Sequence, residues 1–401
     1  MPTIRIGVIG TTPTVEWAIL PVLIGADAVS PPDTGAWWSR RPAPSGDIRY
    51  QAPATPEIVA LCDFPEPKIK GKPRPQTPKS PRLETLARQF RVAATYPDPL
   101  QMLREQPLDA VFLAHSEELR PAQLAALMSR APGMQNGVAP PRWLWIDGPP
   151  APSLADLNAF AAPASGLCPA LWMSFPLRRA AAHRAARRLL ERDEIGPVTA
   201  IQARFAFPFD PSRFELLYGA FDLLLSFVPA AQMPREVLAA RHGDGATSLL
   251  VRFAGGASLT ALFAAGDTWN APLPRVEVCG TQGRFLVCES GRKLTLFIPR
   301  DGARVWEPPG LAPHLSSANL SGYGEDIKAF LAICNENPAP WSAERALDEA
   351  ARALSVLESS FVSLESGLAQ PIAPRGVSTA SEILETKTLE APANNLTLDL
   401  S

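Results

Sequence analysis

The chain has 401 residues, long enough for two domains that each bury a core of their own. Its 38 basic and 40 acidic side chains leave a formal charge of −2, so no global field points to nucleic acid or an anionic membrane. No run of ~18 apolar residues offers a membrane span, and the five cysteines are scattered, odd in number and never spaced C-x-x-C, which excludes a disulfide framework or a cysteine-based zinc site.

The first residues run directly into an apolar strand, without the basic, apolar and small-residue order of a secretory leader, so a cytoplasmic location is expected. That strand is Ile4 to Ile9, and it passes through Gly10, Thr11 and Thr12 into a helical pattern. A strand, a glycine turn and a helix open a dinucleotide-binding unit, in which G-x-G-x-x-G lets the backbone approach a pyrophosphate. Only Gly10 of the three glycines is present; Thr12 and Val15 hold the other two positions. Pro21 is expected to kink or shorten the first helix.

Residues 30–57 carry Pro, Gly and Ser with Trp37, Trp38, Arg40 and Arg41, and read as an insertion. The second strand spans Glu57 to Asp63. Its terminal Asp63 stands where a carboxylate accepts the ribose hydroxyls of an adenosine, although the first insertion carries it well beyond the usual ~20 residues from the glycine turn. Residues 64–82 form a second insertion, rich in proline and lysine. Both insertions are candidate surfaces for a protein partner, and the aromatics with arginines in the first are typical of binding hot spots. Helices from Leu83 and Pro97, a strand from Asp109, a helix from about Pro121 and a strand from Trp143 to Ile146 continue the alternation. They imply a Rossmann-like, doubly wound parallel sheet over residues 1–150. Six strand-like runs follow between Val198 and Ile298, giving an α+β domain over residues 151–367 with an extended tail over 368–401. No histidine pair has metal-ligand spacing, so no metal site is expected. Hydrolase-elbow, phosphate-loop and kinase motifs are absent.

In their order along the chain, several segments resemble the glucose-fructose oxidoreductase, inositol dehydrogenase and MocA family (Gfo/Idh/MocA). These are Asp109 to Ala114, the Asp147-Gly148-Pro149 triplet, Arg178-Arg179, Glu194 to Val198, Gly280-Thr281-Gln282-Gly283, and the closing helices from Tyr323 and Ser342. The resemblance implies a second domain with a large, mostly antiparallel open sheet that binds substrate and mediates homo-oligomer contacts. It also implies NAD or NADP as cofactor, held by Gly10, Thr11, Thr12, Asp63 and His115, with a small-molecule ligand.

At the positions of that family's catalytic residues the chain departs. The lysine of the family's Glu-Lys-Pro is matched by Gly148, and the histidine before its aspartate by Gly219. Glu215, Asp222 and His115 are the remaining candidates for proton transfer. Two expectations follow. In the first, the chain has lost standard hydride transfer and serves as a binding, regulatory or partner subunit. In the alternative it is a divergent NAD(P)-dependent oxidoreductase acting on a sugar-like or other small hydroxyl or carbonyl substrate.

Overall fold

The computed structural model describes residues 3–25, 55–63, 81–114, 141–159, 170–229, 231–243, 245–264, 275–288, 293–299, 302–307, 322–334 and 343–372. His115, nearly all of both insertions, and the tail beyond Ile372 lie outside the described residues.

Strand β1 (Thr3–Ile9) is central and nearly all apolar because both of its faces are covered, as in parallel sheets generally. Its neighbours are β2 (Thr55–Cys62) and β4 (Ala110–Leu113), and all three run parallel. β3 (Ala94–Tyr96), β5 (Trp143–Ile146) and β6 (Ala170–Met173) complete a parallel sheet ordered β3-β2-β1-β4-β5-β6. The chain reverses direction across this sheet between β1 and β4, and that switch point is where such sheets bind ligands, outside the carboxyl ends of the strands. β6 pairs with β5, so one sheet runs across the expected boundary at residue 150.

The first helix begins with a π-helical turn, Val15–Ile19, before α1 (Leu20–Leu23). Leu20 N–H reaches back five residues to Val15 O. Pro21 cannot donate, and its ring crowds the carbonyl four residues earlier, so the wider turn upstream absorbs the misfit the sequence predicts as a kink. α2 (Pro81–Phe90) and α3 (Pro99–Glu105) follow β2 and β3. α3 is capped by Asp98, whose carboxylate accepts from Leu100 N–H at 3.0 Å.

After β6 come α4 (Pro176–Arg179), α5 (Ala181–Glu191), β7 (Val198–Phe205) and α6 (Phe214–Leu225). The second sheet continues with β8 (Pro234–His242), β9 (Ala246–Phe253), β10 (Ser258–Phe263), β11 (Arg275–Gly280), β12 (Arg284–Cys288), β13 (Lys293–Ile298) and β14 (Gly302–Trp306). With the short β15 (Gln370–Pro371) these are ordered β14-β13-β12-β11-β7-β10-β9-β8-β15, and only β7 with β10 runs parallel. One face packs against α6 and the long α8 (Ala343–Ser366), burying Val237, Val251, Phe263, Val276 and Phe285. The other face is an open groove that includes Leu238, Leu250 and Leu262. β3, β8, β14 and β15 are additions to the strands expected from sequence.

α7 (Tyr323–Ile333) follows β14 in sequence but packs on the first sheet. Its Ile327, Phe330 and Leu331 are buried with Ile6, Val8 and Phe112, and Phe330 lies edge-on to Phe112 with ring centres 5.3 Å apart. Among the described residues no helix is long and apolar enough to cross a membrane.

Candidate functional site

The turn after β1 is built on Gly10, whose φ of 112° is open to glycine and strained for other residues. Gly10 N–H donates to Cys62 O at 2.8 Å and ties the turn to the end of β2. From there two threonines span the switch point. Thr11 Oγ1 donates to Asp63 Oδ2 at 2.8 Å, and Thr12 Oγ1 donates to Ala114 O at 3.2 Å, at the tip of β4. Thr12 O also receives the N–H groups of Val15 and Glu16, which starts the helix. Val15, at the third-glycine position, is fully buried in the core below the sheet and opens the π turn. Its side chain thus adds to the core packed on β1 where the resembled fingerprint has a glycine.

Glu16 lies in the first helical turn, where a carboxylate suits the positive end of the helix dipole but competes with a phosphate. Arg82 Nη2 pairs with it at 3.0 Å and offsets that charge.

Across the sheet, β5 ends in the Asp147-Gly148-Pro149 triplet. Asp147 N–H donates to Leu113 O at 2.8 Å, so its side chain starts from the tips of β4 and β5. Tyr323, the first residue of α7, donates its hydroxyl to Asp147 Oδ1 at 2.8 Å. The Tyr323 ring stands edge-on to Trp17 of the first helix, with centres 5.7 Å apart. Asp147 keeps some accessible surface. Burial nonetheless pushes its carboxyl up to about 7; the Tyr323 bond opposes this, and the negative charges of Glu215 and Asp326 add to it. Tyr323 is held well above its ordinary range, first by burial and then by Asp147.

Gly322 sets this contact. It has φ 89°, and a Cβ there would fall 1.8 Å from Pro176 O, so only glycine lets the start of α7 dock on α4. One turn into α7, Asp326 is buried and accepts from Trp145 Nε1 at 3.0 Å and Trp172 Nε1 at 3.1 Å. Arg179 approaches its other oxygen at 3.8 Å.

α6 carries the other candidates. Glu215 is exposed in its first turn, near enough to act on Asp147 and Tyr323. Asp222 is buried, and both its oxygens are engaged by Arg178, one of them by Nε at 2.7 Å. The same guanidinium donates to Glu349 at 2.7 Å and lies over the Phe175 ring. Such a bidentate fork fixes α6 against α4 and α8. Gly219 lies between these two acids on the helix, with Leu177 Cδ1 3.6 Å from where a Cβ would stand. Among the described residues no group of His, Cys, Asp and Glu is arranged to hold a metal.

No protein-family model matches this sequence, and no curated protein matches it. Solved structures do. A levoglucosan dehydrogenase in complex with NADH and L-sorbose is 14% identical, with 93% of this chain and 100% of that one superposed at a TM-score of 0.68. An NAD binding oxidoreductase from Klebsiella pneumoniae is 13% identical over 92% and 99%, also at 0.68. A dehydrogenase from Chromobacterium violaceum is 18% identical over 92% and 96%, at 0.66. The fold is the one these oxidoreductases share.

On that fold the structure brings Gly10, Thr11, Thr12 and Asp63 together at the tips of β1 and β2, and Glu215 near Asp147 beyond the tip of β5. It joins Asp222 to Arg178 instead. Sequence reasoning passed over Asp147 and Tyr323, noticing in the triplet only the missing lysine. The one signal available was a carboxylate retained beside Gly148.

Proposed function

We propose that this chain is a divergent NAD(P)-dependent oxidoreductase of the cytoplasm, acting on a sugar-like or other small hydroxyl or carbonyl compound. The observation that carries the reading is the Thr11 contact with Asp63, which holds a carboxylate at the tip of β2 beside the glycine turn. A carboxylate there suits the two ribose hydroxyls of an adenosine and repels a 2′-phosphate, which favours NAD over NADP. Gly10, Thr11 and Thr12 would line the pyrophosphate. When bound, such a dinucleotide supplies the two-electron acceptor or donor for a hydride. The levoglucosan dehydrogenase bound to NADH and L-sorbose supports both the cofactor and the polyhydroxy substrate class.

A second reading, a binding or regulatory subunit that has lost hydride transfer, is favoured by Gly148 and Gly219 at the two positions of the resembled catalytic pair. In either reading, self-association of two copies through the open sheet face is part of the proposal, because Leu238 and Leu250 stand opposite each other on it.

Nucleotide-stripped protein titrated with NADH and NADPH, followed by nicotinamide fluorescence, tests the cofactor. Saturable binding of NADH at micromolar concentration, about 8 kcal/mol, is expected, with weaker NADPH binding and a loss of at least tenfold in Asp63→Ala. Absence of saturation at millimolar NADH would overturn the oxidoreductase reading. Binding without turnover across a polyol and sugar screen would favour the second reading.

A further inference from the structure

The crevice has two ends. Asp63 marks the adenosine end at β2, and the strand order carries the crevice past the switch point toward the tips of β4 and β5. At that far end stands Asp147, tied to β4 through Leu113 O and to α7 through the Tyr323 hydroxyl. The groups that bear on its charge come from three elements. Gly148 N–H on its own segment and the Tyr323 hydroxyl on α7 stabilise the carboxylate, while Asp326 on α7 and Glu215 on α6 oppose it. Arg178, Arg179 and Arg184 are committed to Asp222 and Glu349, to Asp326 and to Glu325. The far end is therefore acidic, which suits a neutral hydroxyl or carbonyl compound better than a carboxylate or phosphate ester.

We propose that Asp147, positioned by Tyr323, is the proton-exchanging group of this crevice: a carboxylate while the oxidised dinucleotide and a hydroxyl substrate are bound, and a carboxyl while the reduced dinucleotide and a carbonyl product are bound. The inference rests on the oxidoreductase reading above and assigns the proton step within it. In the oxidising direction the substrate O–H proton passes to a carboxylate oxygen of Asp147. The C–H hydrogen leaves with both electrons to the acceptor already named. In the reverse direction the Asp147 carboxyl returns its proton to the carbonyl oxygen. The Tyr323 hydroxyl occupies Oδ1 and so directs this exchange to Oδ2. A carboxyl that titrates near neutrality can work in both directions, and the two glycines at 148 and 219 leave no other side chain at those positions to do so.

The test needs no substrate. The oxidised nicotinamide ring carries a positive charge and the reduced ring does not, so NAD+ is expected to drive the proton off Asp147 while NADH leaves it in place. Proton release is measured with an indicator dye in weakly buffered protein on adding either nucleotide, from pH ~5 to ~9. With its carboxyl pushed up to about 7, Asp147 is near half-protonated at neutral pH, so NAD+ should release about half a proton more than NADH.

Asp147→Asn should abolish that difference while leaving NADH binding within about threefold of the parent. Tyr323→Phe removes a donor that favours the carboxylate and should move the release profile to higher pH. Glu215→Gln, at an exposed position, should move it to lower pH and serves as the variant least prone to misfold. Equal release by NAD+ and NADH, or an unchanged difference in Asp147→Asn, would overturn the proposal and leave the cofactor reading intact. Failure of both nucleotides to bind would overturn both.

Discussion

His183 and Asp147 bias stability with pH in opposite directions. His183 is buried, with Nδ1 2.8 Å from Leu177 O and its ring edge-on to Phe227, and burial holds it down to about 4. The unfolded chain therefore binds more protons here than the folded one. This stability is complete above the ordinary histidine value of 6.5 and is lost as pH falls toward about 4, by about 3 kcal/mol in all. Asp147 has the reverse sign, because its folded carboxyl stands above the ordinary 3.8. Its contribution is present below that value and disappears as pH rises through about 7. Between about pH 4 and 6.5 the two slopes oppose each other. Thermal denaturation against pH should accordingly show a weaker acid-side loss in His183→Gln. In Asp147→Asn the decline toward neutral pH should be smaller, the part owed to buried Asp222 and Asp326 remaining. Profiles parallel to the parent's would contradict both assignments.

Glycine decides how the elements around the site meet, and the three glycines concerned behave differently. At Gly322 a methyl group meets Pro176 O, and the backbone is left-handed, so Gly322→Ala is expected to cost more than about 2 kcal/mol in denaturant unfolding. It should also weaken the Asp147 contact by lifting Tyr323. Gly148 has φ 74°, so Gly148→Lys, which would restore the resembled lysine, carries about 1–2 kcal/mol of backbone strain. A Cβ at Gly219 meets only ordinary contact at Leu177, so Gly219→Ala should be accepted within about 0.5 kcal/mol. If Gly148→Lys proves as stable as Gly219→Ala, the left-handed turn at β5 is not what constrains that position.

How legible these elements were follows from the same physics. β4 and β5 are continuous apolar runs, and so is β1 from Ile6 to Ile9, the signature of a doubly covered parallel strand. β3 is three residues long, too short for any period to register. β8 confines its apolar residues to Val237 to Ala240 between the charged pairs Arg235-Glu236 and Arg241-His242, and β14 is exposed throughout, so neither presents a long apolar run. Only pairing with β9 and β13 makes them strands.

For the molecule as a whole, the open face of the second sheet is an apolar groove among the described residues, and the proposed self-association is tested there. Leu238, 40% exposed, faces Leu250 across the β8 and β9 pair, and Leu262 lines the same groove. If two copies meet there, Leu250→Arg should shift a dimer to monomer in sedimentation at micromolar protein without altering NADH binding. A monomeric parent protein would remove the basis for that contact. That Gly10, Thr11, Thr12 and Asp63 would be neighbours was legible because a strand-turn-helix plan brings the turn after β1 beside the end of β2. The far end was not, because Asp147 and Tyr323 are 176 residues apart and meet only when α7 crosses back to the first sheet.

That return of α7 also governs how the protein can be made. The β1 to β6 sheet is finished at Met173, yet the helix that covers Ile6, Val8 and Phe112 is complete only at Ile333. At ribosomal speed the interval lasts on the order of ten to thirty seconds. Throughout it the first helix and α2 cover this sheet face only in part, leaving the place of Ile327, Phe330 and Leu331 open, so synthesis of this protein should lean on holding chaperones longer than its modest size suggests.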